Sequence, residues 1–456
     1  MKKAWIIILA TILLLTACQP TPEEDVVINR GDTDVDAIIA ASPLPTSEVS
    51  QSDDPALVKA SEGQNPVFPT RYENKIENDA TSLVIDAEVI TNGLTSYPVY
   101  EVKRKTFDAE QVRAIAGEII TDIVGYRDGS DYVKSDYPIL LEKAAIWGND
   151  EVLTWLSQNM QGASDAGYAE SSELCIGDSL KPQVYLRSDG NPSSFDVDGN
   201  NLMICRIKGT ASDIKWVAED IDLLEGREVT TVIPELTQEE AETILTDFLE
   251  QTGMDGYVAY SAEEARLRSN MTREVISMGW QFELVRTFDY YPIYVGGNMD
   301  GANGGFLQRD GEKLYSPPWN AEYVRLYIDS EGVAEFMWFS HLEIVGVVNE
   351  NVQLADFETV TKSAMNLFSA SLAWYQRDFE ENNRPWALYA KIEKIVLTVT
   401  LQQAKDRQDI AYLLPTWVFL ADMYDIFDNE CLGYTEAYGF SAIDGSRVPL
   451  DCWPEF

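Results

Sequence analysis

Apolar and polar positions alternate or recur along this chain in a way that marks out its elements. Thr81–Ile90 and Thr95–Phe107 are rich in β-branched and aromatic residues (Val84, Val89 and Ile90, then Val99, Tyr100 and Val102). They flank Thr91-Asn92-Gly93-Leu94, so the pattern predicts two strands of a hairpin closed by an Asn-Gly turn. Asp108 is placed to cap a helix in which Val112, Ile115, Ala116, Ile119, Ile120 and Ile123 recur at helical spacing as far as Gly125. A second helical pattern runs from Pro138 to Met160 through Leu140, Leu141, Ala144, Ala145, Trp147, Leu153, Trp155 and Leu156. A Gly- and Pro-containing loop then leads to a strand around Leu202–Ile207, and Ile233-Pro234 reads as a boundary.

Beyond that boundary the pattern repeats. Leu236-Thr237-Gln238-Glu239-Glu240-Ala241 opens a helix through Leu249, with Thr237 and Glu240 spaced as a capping box. Leu354-Ala355-Asp356-Phe357-Glu358-Thr359 opens another through Phe368 with the same acidic first turn. Strand patterns follow each helix: Gly279–Arg286 and Tyr291–Tyr294 in one copy, Ile392–Leu401 and Tyr412–Phe419 in the other. Each copy closes on a turn signal, Ile328-Asp329-Ser330-Glu331-Gly332 and Ile443-Asp444-Gly445. The helix starts are 118 positions apart (236 to 354) and the Ile-Asp turns 115 (329 to 444), a near-constant offset that predicts duplicated units, each a helix packed on a curved antiparallel sheet.

The first residues carry a different signal. Lys2 and Lys3 precede the uncharged stretch Ala4–Ala17, which is short for a membrane span but suits the apolar core of a secretory signal. Leu15-Thr16-Ala17-Cys18 resembles the lipobox of bacterial lipoproteins, in which the cysteine carries a diacylglycerol and, after cleavage, further acylation such as palmitate. Two acyl chains hold a protein where one exchanges, at about 0.8 kcal/mol per buried methylene. From Gln19 to Thr70 seven of the chain's nineteen prolines occur with ten acids, two bases and a single aromatic residue, Phe68. Such a segment lacks the apolar surface to offset its ordering entropy and is expected to be a disordered acidic tether.

The order of helix, strand, Pro-containing strand and Ile-Asp turn is similar to the PepSY and YycI-type modules of extracytoplasmic proteins in Gram-positive bacteria. With the lipobox, the whole chain resembles a Firmicutes lipoprotein family that carries only a domain-of-unknown-function label. That resemblance implies binding and regulation at the membrane surface, such as restraining a hydrolase or contacting the outer domain of a sensor kinase, and it brings no catalytic residues. The expected organisation is therefore α+β: a signal peptide (1–17), the tether (18–70), an N-terminal α+β domain (71–234), and two related α+β modules (235–350 and 351–456).

Charge and composition narrow the function. The formal net charge is -42, with 76 Asp plus Glu against 34 Lys plus Arg, which repels nucleic-acid backbones and excludes them as partners. His341 is the single histidine, so metal sites and relays built on several imidazoles are out of reach. It lies inside the strand pattern Phe336–Leu342, where Ser340 would point to the opposite face. Apart from Cys18 there are four cysteines, Cys175, Cys205, Cys431 and Cys452. In an exported chain they read as two local disulfides, Cys175–Cys205 and Cys431–Cys452, or else as buried free thiols.

Asp196-Val197-Asp198-Gly199-Asn200 offers alternate oxygen ligands as calcium loops do, but Ile207 stands where such a loop needs its bidentate acid. An acidic turn before a strand is the simpler reading. The Gly-rich stretch 296–305 carries no Lys or Arg, and the loop 296–320 ends in Tyr315, Pro317, Pro318 and Trp319, a candidate interaction surface. The expected function is a non-enzymatic, cofactor-free, lipid-anchored binding or regulatory protein on the extracytoplasmic face of a cell membrane. It would be held there through Cys18 and act on an extracytoplasmic protein or a cell-wall glycan. The alternative is a polysaccharide-binding protein or a glycoside hydrolase using two carboxylates.

Overall fold

The computed structural model describes residues 68–91, 96–148, 150–214, 233–288, 291–292, 308–310, 313–315, 322–382, 386–404, 407–427, 430–448 and 450. Cys18, Pro317, Pro318, Trp319 and Cys452 lie outside the described residues, and for Tyr315 and Cys431 only the strand position is described. Along the chain come β1 (Arg71–Glu77), β2 (Thr81–Ile90) and β3 (Val99–Arg104), then α1 (Ala109–Ile119), β4 (Ile123–Asp128), α2 (Tyr137–Ile146), α3 (Asp150–Gly162), β5 (Ala169–Glu170), β6 (Gln183–Arg187), β7 (Pro192–Asp198), β8 (Asn201–Cys205) and β9 (Thr210–Ile214). Next are α4 (Gln238–Thr252), β10 (Tyr257–Ser269), β11 (Val275–Phe288), β12 (Tyr291–Pro292), β13 (Gln308–Asp310), β14 (Lys313–Tyr315), β15 (Tyr323–Asp329), β16 (Gly332–Phe339) and β17 (Leu342–Asn349). The last are α5 (Phe357–Asn382), β18 (Trp386–Ala404), β19 (Arg407–Phe427), β20 (Glu430–Ser441) and β21 (Arg447–Val448). The fold is α+β, with helices packed on curved, mainly antiparallel sheets.

The expected duplication has a structural counterpart. α4 is followed by a four-stranded meander in the order β10-β11-β15-β16, and α5 by one in the order β18-β19-β20-β21. In both, the Ile-Asp turn joins the third and fourth strands. A further unit of the same order precedes them, α1 followed by β4-β6-β7-β8, and its third turn is Val197-Asp198-Gly199. Its helix opening and turn lie 129 (107 to 236) and 131 (198 to 329) positions before their counterparts. The inserted pair α2 and α3 separates its first two strands and hides the repeat from a reading at constant offset.

Strand pairing draws the domains differently from the expected boundaries. β8 and β16, the fourth strands of the first two units, pair antiparallel and fuse both meanders into one sheet, β5-β4-β6-β7-β8-β16-β15-β11-β10-β9. α1 and α4 pack together over the same face of that sheet, around Phe195, Phe282, Phe336 and Trp338. The position near 234 therefore falls within one core. The N-terminal strands belong elsewhere: β2 pairs parallel with β18, β3 pairs with β19, and both share the core under α5. β2 and β3 do not pair with each other, because β2 takes β1 and β18 as its neighbours, and the expected Asn92-Gly93 turn lies outside the described residues. The whole body of residues 107–339 is inserted between β3 and β17, which pair antiparallel with Leu342 opposite Arg104.

Local chemistry explains each element. α1 is capped by Asp108, whose carboxylate accepts from the Gln111 amide at 2.8 Å. It ends at Ile119, and Asp122 at φ 55 turns the β-branched run into β4, so Ile123 lies on a strand instead of extending the helix. The pattern predicted over 138–160 is broken at Gly148, φ 64, into α2 and α3. α4 carries the predicted Thr237–Glu240 capping box and stops at left-handed Gly253. α5 buries Val360, Ala364, Phe368, Leu372 and Phe379 along one stripe, with Phe368 edge-on to Phe419 and Phe440. Each of the larger side chains among these contributes about 1.5–3 kcal/mol by leaving water.

Candidate functional site

Three places collect the side chains that could carry function: the neck between the two bodies, the seam between the first two units, and the uncovered surface of the β18–β19 sheet. At the neck the chain crosses at Lys105–Phe107 and returns through Ser340 and His341. Ser340 takes φ 54 and ends β16, so His341 lies in the crossover and the expected strand alternation between the two is absent. The His341 ring is 3% exposed, stacked on Phe107 at 4.7 Å and tilted against Trp338 at 4.3 Å. Burial pushes its pKa down to about 4, partly opposed by Glu322, so the imidazole is neutral at pH 7.

Beside it, fully buried Glu322 accepts from Arg286 Nε (2.6 Å) and a terminal guanidinium nitrogen (2.9 Å), Tyr257 Oη (2.9 Å), Trp338 Nε1 (3.1 Å) and the Leu342 amide (3.0 Å). Arg286 in turn donates to the Leu342 carbonyl at 3.1 Å. A carboxylate saturated by five donors is committed to holding the neck closed.

At the seam, Arg206 from the first unit grips Asp329 of the second through both oxygens, with Ser277 Oγ donating to the same carboxylate at 2.6 Å. Cys205 lies beneath, opposite Glu335 in the register, and burial pushes its thiol far above the ordinary range. The pairing expected between Cys175 and Cys205 is not formed and both are free thiols. Cys205 is locked into a central strand, whereas Cys175 lies in the loop before β6 with its sulfur 3.3 Å from Ser171 Oγ. Asp196–Asp198 end β7, paired with β8 as far as Asp198 opposite Asn201, and Gly199-Asn200 make the hairpin turn. Among the described residues no group of three His, Cys, Asp or Glu is arranged to hold a metal ion, and no helix is long and apolar enough to cross a membrane. Lys208 was not singled out from the sequence. Its ammonium lies 3.5 Å from the centre of the Tyr132 ring, and burial, with Arg127 adding to it, pushes its pKa down to about 8.

The uncovered surface is different in kind. On β2, Leu83, Ile85, Ala87 and Val89 face the core under α5, so Ser82, Val84, Asp86 and Glu88 face away from it. The same alternation puts Leu388, Ala390 and Ile392 of β18 inward and Tyr389 and Lys391 outward. Tyr389 is directly opposite Tyr424 of β19, and the two are 48% and 38% exposed. Ile426 and Asp422 flank Tyr424, Lys391 pairs with Glu393, and the neighbour of Tyr424 on its far side is Gly433. The result is a half-exposed aromatic pair with acidic and basic groups at its margin. An outward Tyr between buried Leu388 and Ala390 was the available sequence signal for it. A shallow groove along α3, lined by Asp150, Glu151, Trp155 and Gln158, places two exposed acids beside a half-exposed Trp.

No family model and no curated protein matches this chain. Among solved structures it is similar to an uncharacterized protein from Eubacterium rectale, at 11% identity and a TM-score of 0.48, over 84% of this chain and 94% of that one.

Proposed function

We propose that this chain is a lipid-anchored binding protein of the extracytoplasmic membrane face, without catalysis of its own, and that it contacts its partner through the open surface of the β18–β19 sheet. The observation that carries the reading is the exposed Tyr389–Tyr424 pair on the long β18–β19 strand pair. Exposed aromatic pairs offer large contact area at low entropic cost and are enriched where proteins bind. The buried His341 and Glu322 are occupied in the fold, which supports binding over acid–base chemistry. Anchoring rests on Leu15-Thr16-Ala17-Cys18, with the membrane reached through acyl chains on Cys18.

A second reading, polysaccharide binding, draws on the same pair, since the C–H face of a sugar packs on a tyrosine ring while Asp422 and Lys391 lie in reach of hydroxyls. The Tyr389→Ala, Tyr424→Ala double variant separates the outcomes. It should lose binding to purified envelope proteins on the first reading and to cell-wall glycan on the second, with unchanged thermal stability. Retained binding to both sinks the proposed surface, and release of soluble sugar from glycan by the wild-type chain sinks the non-catalytic reading. For the anchor, Cys18→Ala should abolish incorporation of labelled palmitate in cells, and unchanged labelling would remove it.

A further inference from the structure

Two outer edges of the eight-stranded sheet have opposite character. β1, at one side, reads Arg71-Tyr72-Glu73-Asn74-Lys75-Ile76-Glu77, and its charges form surface pairs, Arg71 with Glu73 and Asp86, and Lys75 with Glu77. Charged side chains of this kind keep an edge from pairing with other chains. β17, at the other side, reads Leu342-Glu343-Ile344-Val345-Gly346-Val347-Val348-Asn349. It pairs with β3 alone among the described residues. Ile344, Val345, Val347 and Val348 are 38–52% exposed, and a Cβ added at Gly346 meets nothing within 4 Å. A β-branched run with no charge, broken only by Gly346 and bulged at Val345 and Val348, is when placed on an edge a template for another strand.

We propose that β17 is the seam of a homodimer, in which two copies pair antiparallel about Gly346. The segment is close to an apolar palindrome about that glycine. A twofold axis through it brings Val345 opposite the partner's Val347 and Ile344 opposite the partner's Val348, so that like meets like throughout the apolar centre. Charge decides the occupant. In a chain of net charge -42 the β3–β17 ribbon is balanced, with Lys103, Arg104 and Lys105 against Glu101, Glu343 and Glu350. The basic residues gather at the Leu342 end, since Arg104 is opposite Leu342, Lys103 is opposite Glu343 at 2.9 Å, and the Lys105 amide bonds His341. Glu350 follows the other end. The antiparallel twofold carries the partner's Glu350 to Leu342, beside Arg104 and Lys105, and places Glu343 opposite the partner's Asn349, so no two like charges face each other.

An isologous pairing of this kind consumes both copies of the edge and closes, where a head-to-tail pairing would propagate. The β-bulges at Val345 and Val348 limit the straight stretch and act against longer fibres. One strand pair buries little area, so the dimer belongs at the weak end of stable interfaces and forms at high local concentration, as on a membrane. This inference is independent of the Tyr389–Tyr424 surface.

The test mixes nitrogen-14 and nitrogen-15 labelled full chains, couples carboxylates to amines with a zero-length carbodiimide, and reads the joined peptides by mass spectrometry. Glu350 should be joined to Lys103 or Lys105 of the differently labelled copy. The Val345→Lys, Val347→Lys variant should lose those products at least tenfold while melting at the wild-type temperature, and Lys391–Glu393 products within one copy should persist. If the pair variant does not fold, Val347→Lys alone serves instead. Products confined to single copies, mixed-copy products at other sites, or full retention in the variants each overturn the dimer.

Discussion

The carboxylate of Glu322 accepts the backbone amide of Leu342 at 3.0 Å, fastening the segment that enters the inserted body's last hairpin to the first residue of the strand that leaves it. The same carboxylate pairs with Arg286, and the guanidinium also holds the Leu342 carbonyl. Removing one charge would leave the other buried without compensation. Glu322→Gln should therefore destabilise the protein by about 3–5 kcal/mol in urea unfolding. Trp338→Phe deletes one of five donors and should cost about 1 kcal/mol for the lost hydrogen bond. Equal costs for the two would show that the ion pair is not what holds the neck.

His341 makes the same neck sensitive to acid. Its folded pKa is near 4 against 6.5 for the free side chain, because burial between Phe107 and Trp338 disfavours the charged ring. Between those values the unfolded chain binds a proton that the folded chain does not. Stability therefore rises with pH across this window, is complete above about 6.5, and is lost as pH falls toward 4. Glu322, Arg286, Lys105 and Asp108 act on the same ring and set the net value. The contribution is about 3 kcal/mol at most. His341→Phe keeps an aromatic ring in the stack and should remove this part of the slope, so the wild-type minus variant difference in unfolding free energy should change between pH 7 and 4. A constant difference would mean that the fold leaves the imidazole titrating as it does in the unfolded chain.

Arg206 and Asp329 bind the first two units across β8 and β16, each less than a tenth exposed. Arg206→Met should cost about 3–5 kcal/mol, since Asp329 would stay buried with only Ser277 and the Glu331 amide as donors. Adding Asp329→Leu should recover part of that loss and leave the cost of the turn bond to Glu331. A double variant no more stable than Arg206→Met would assign the seam's strength to packing alone. Urea unfolding of the single and double variants measures both terms.

Much of this architecture was legible along the chain. The capping box at Thr237, the cap at Asp108 and the two Ile-Asp turns are local chemistry, and local chemistry is written in neighbouring residues. Which strands pair was not. β2 sits beside β18, some three hundred positions away, and nothing in Leu83-Val84-Ile85 names that neighbour. The pairing expected between β2 and β3 was overridden because β3 finds partners in β17 and β19. The first of the three units escaped because α2 and α3 interrupt it. Glu322 was one acid among 76, and only the fold distinguishes a carboxylate with five donors from one in water.

Gly279 shows how closely the units are fitted. It is buried on β11 opposite Ala265, and a Cβ built on it would lie 2.0 Å from the Ile328 carbonyl oxygen and 3.1 Å from Asp329 Cα. Both neighbours are backbone, so neither can rotate away as a side chain would. Gly279→Ala must then push the β15–β16 turn outward by more than an ångström, and that turn carries the Asp329 that Arg206 grips. The expected cost exceeds about 2 kcal/mol, read as a lower melting temperature by circular dichroism. Gly162→Ala is the control, because its Cβ would meet nothing within 4 Å and it ends a helix, where alanine is expected to be neutral or stabilising by about 0.4–1 kcal/mol. Because the displaced turn feeds the seam, Gly279→Ala and Arg206→Met combined should cost less than the sum of their separate effects. Strict additivity would mean that the turn absorbs the methyl group without moving Asp329.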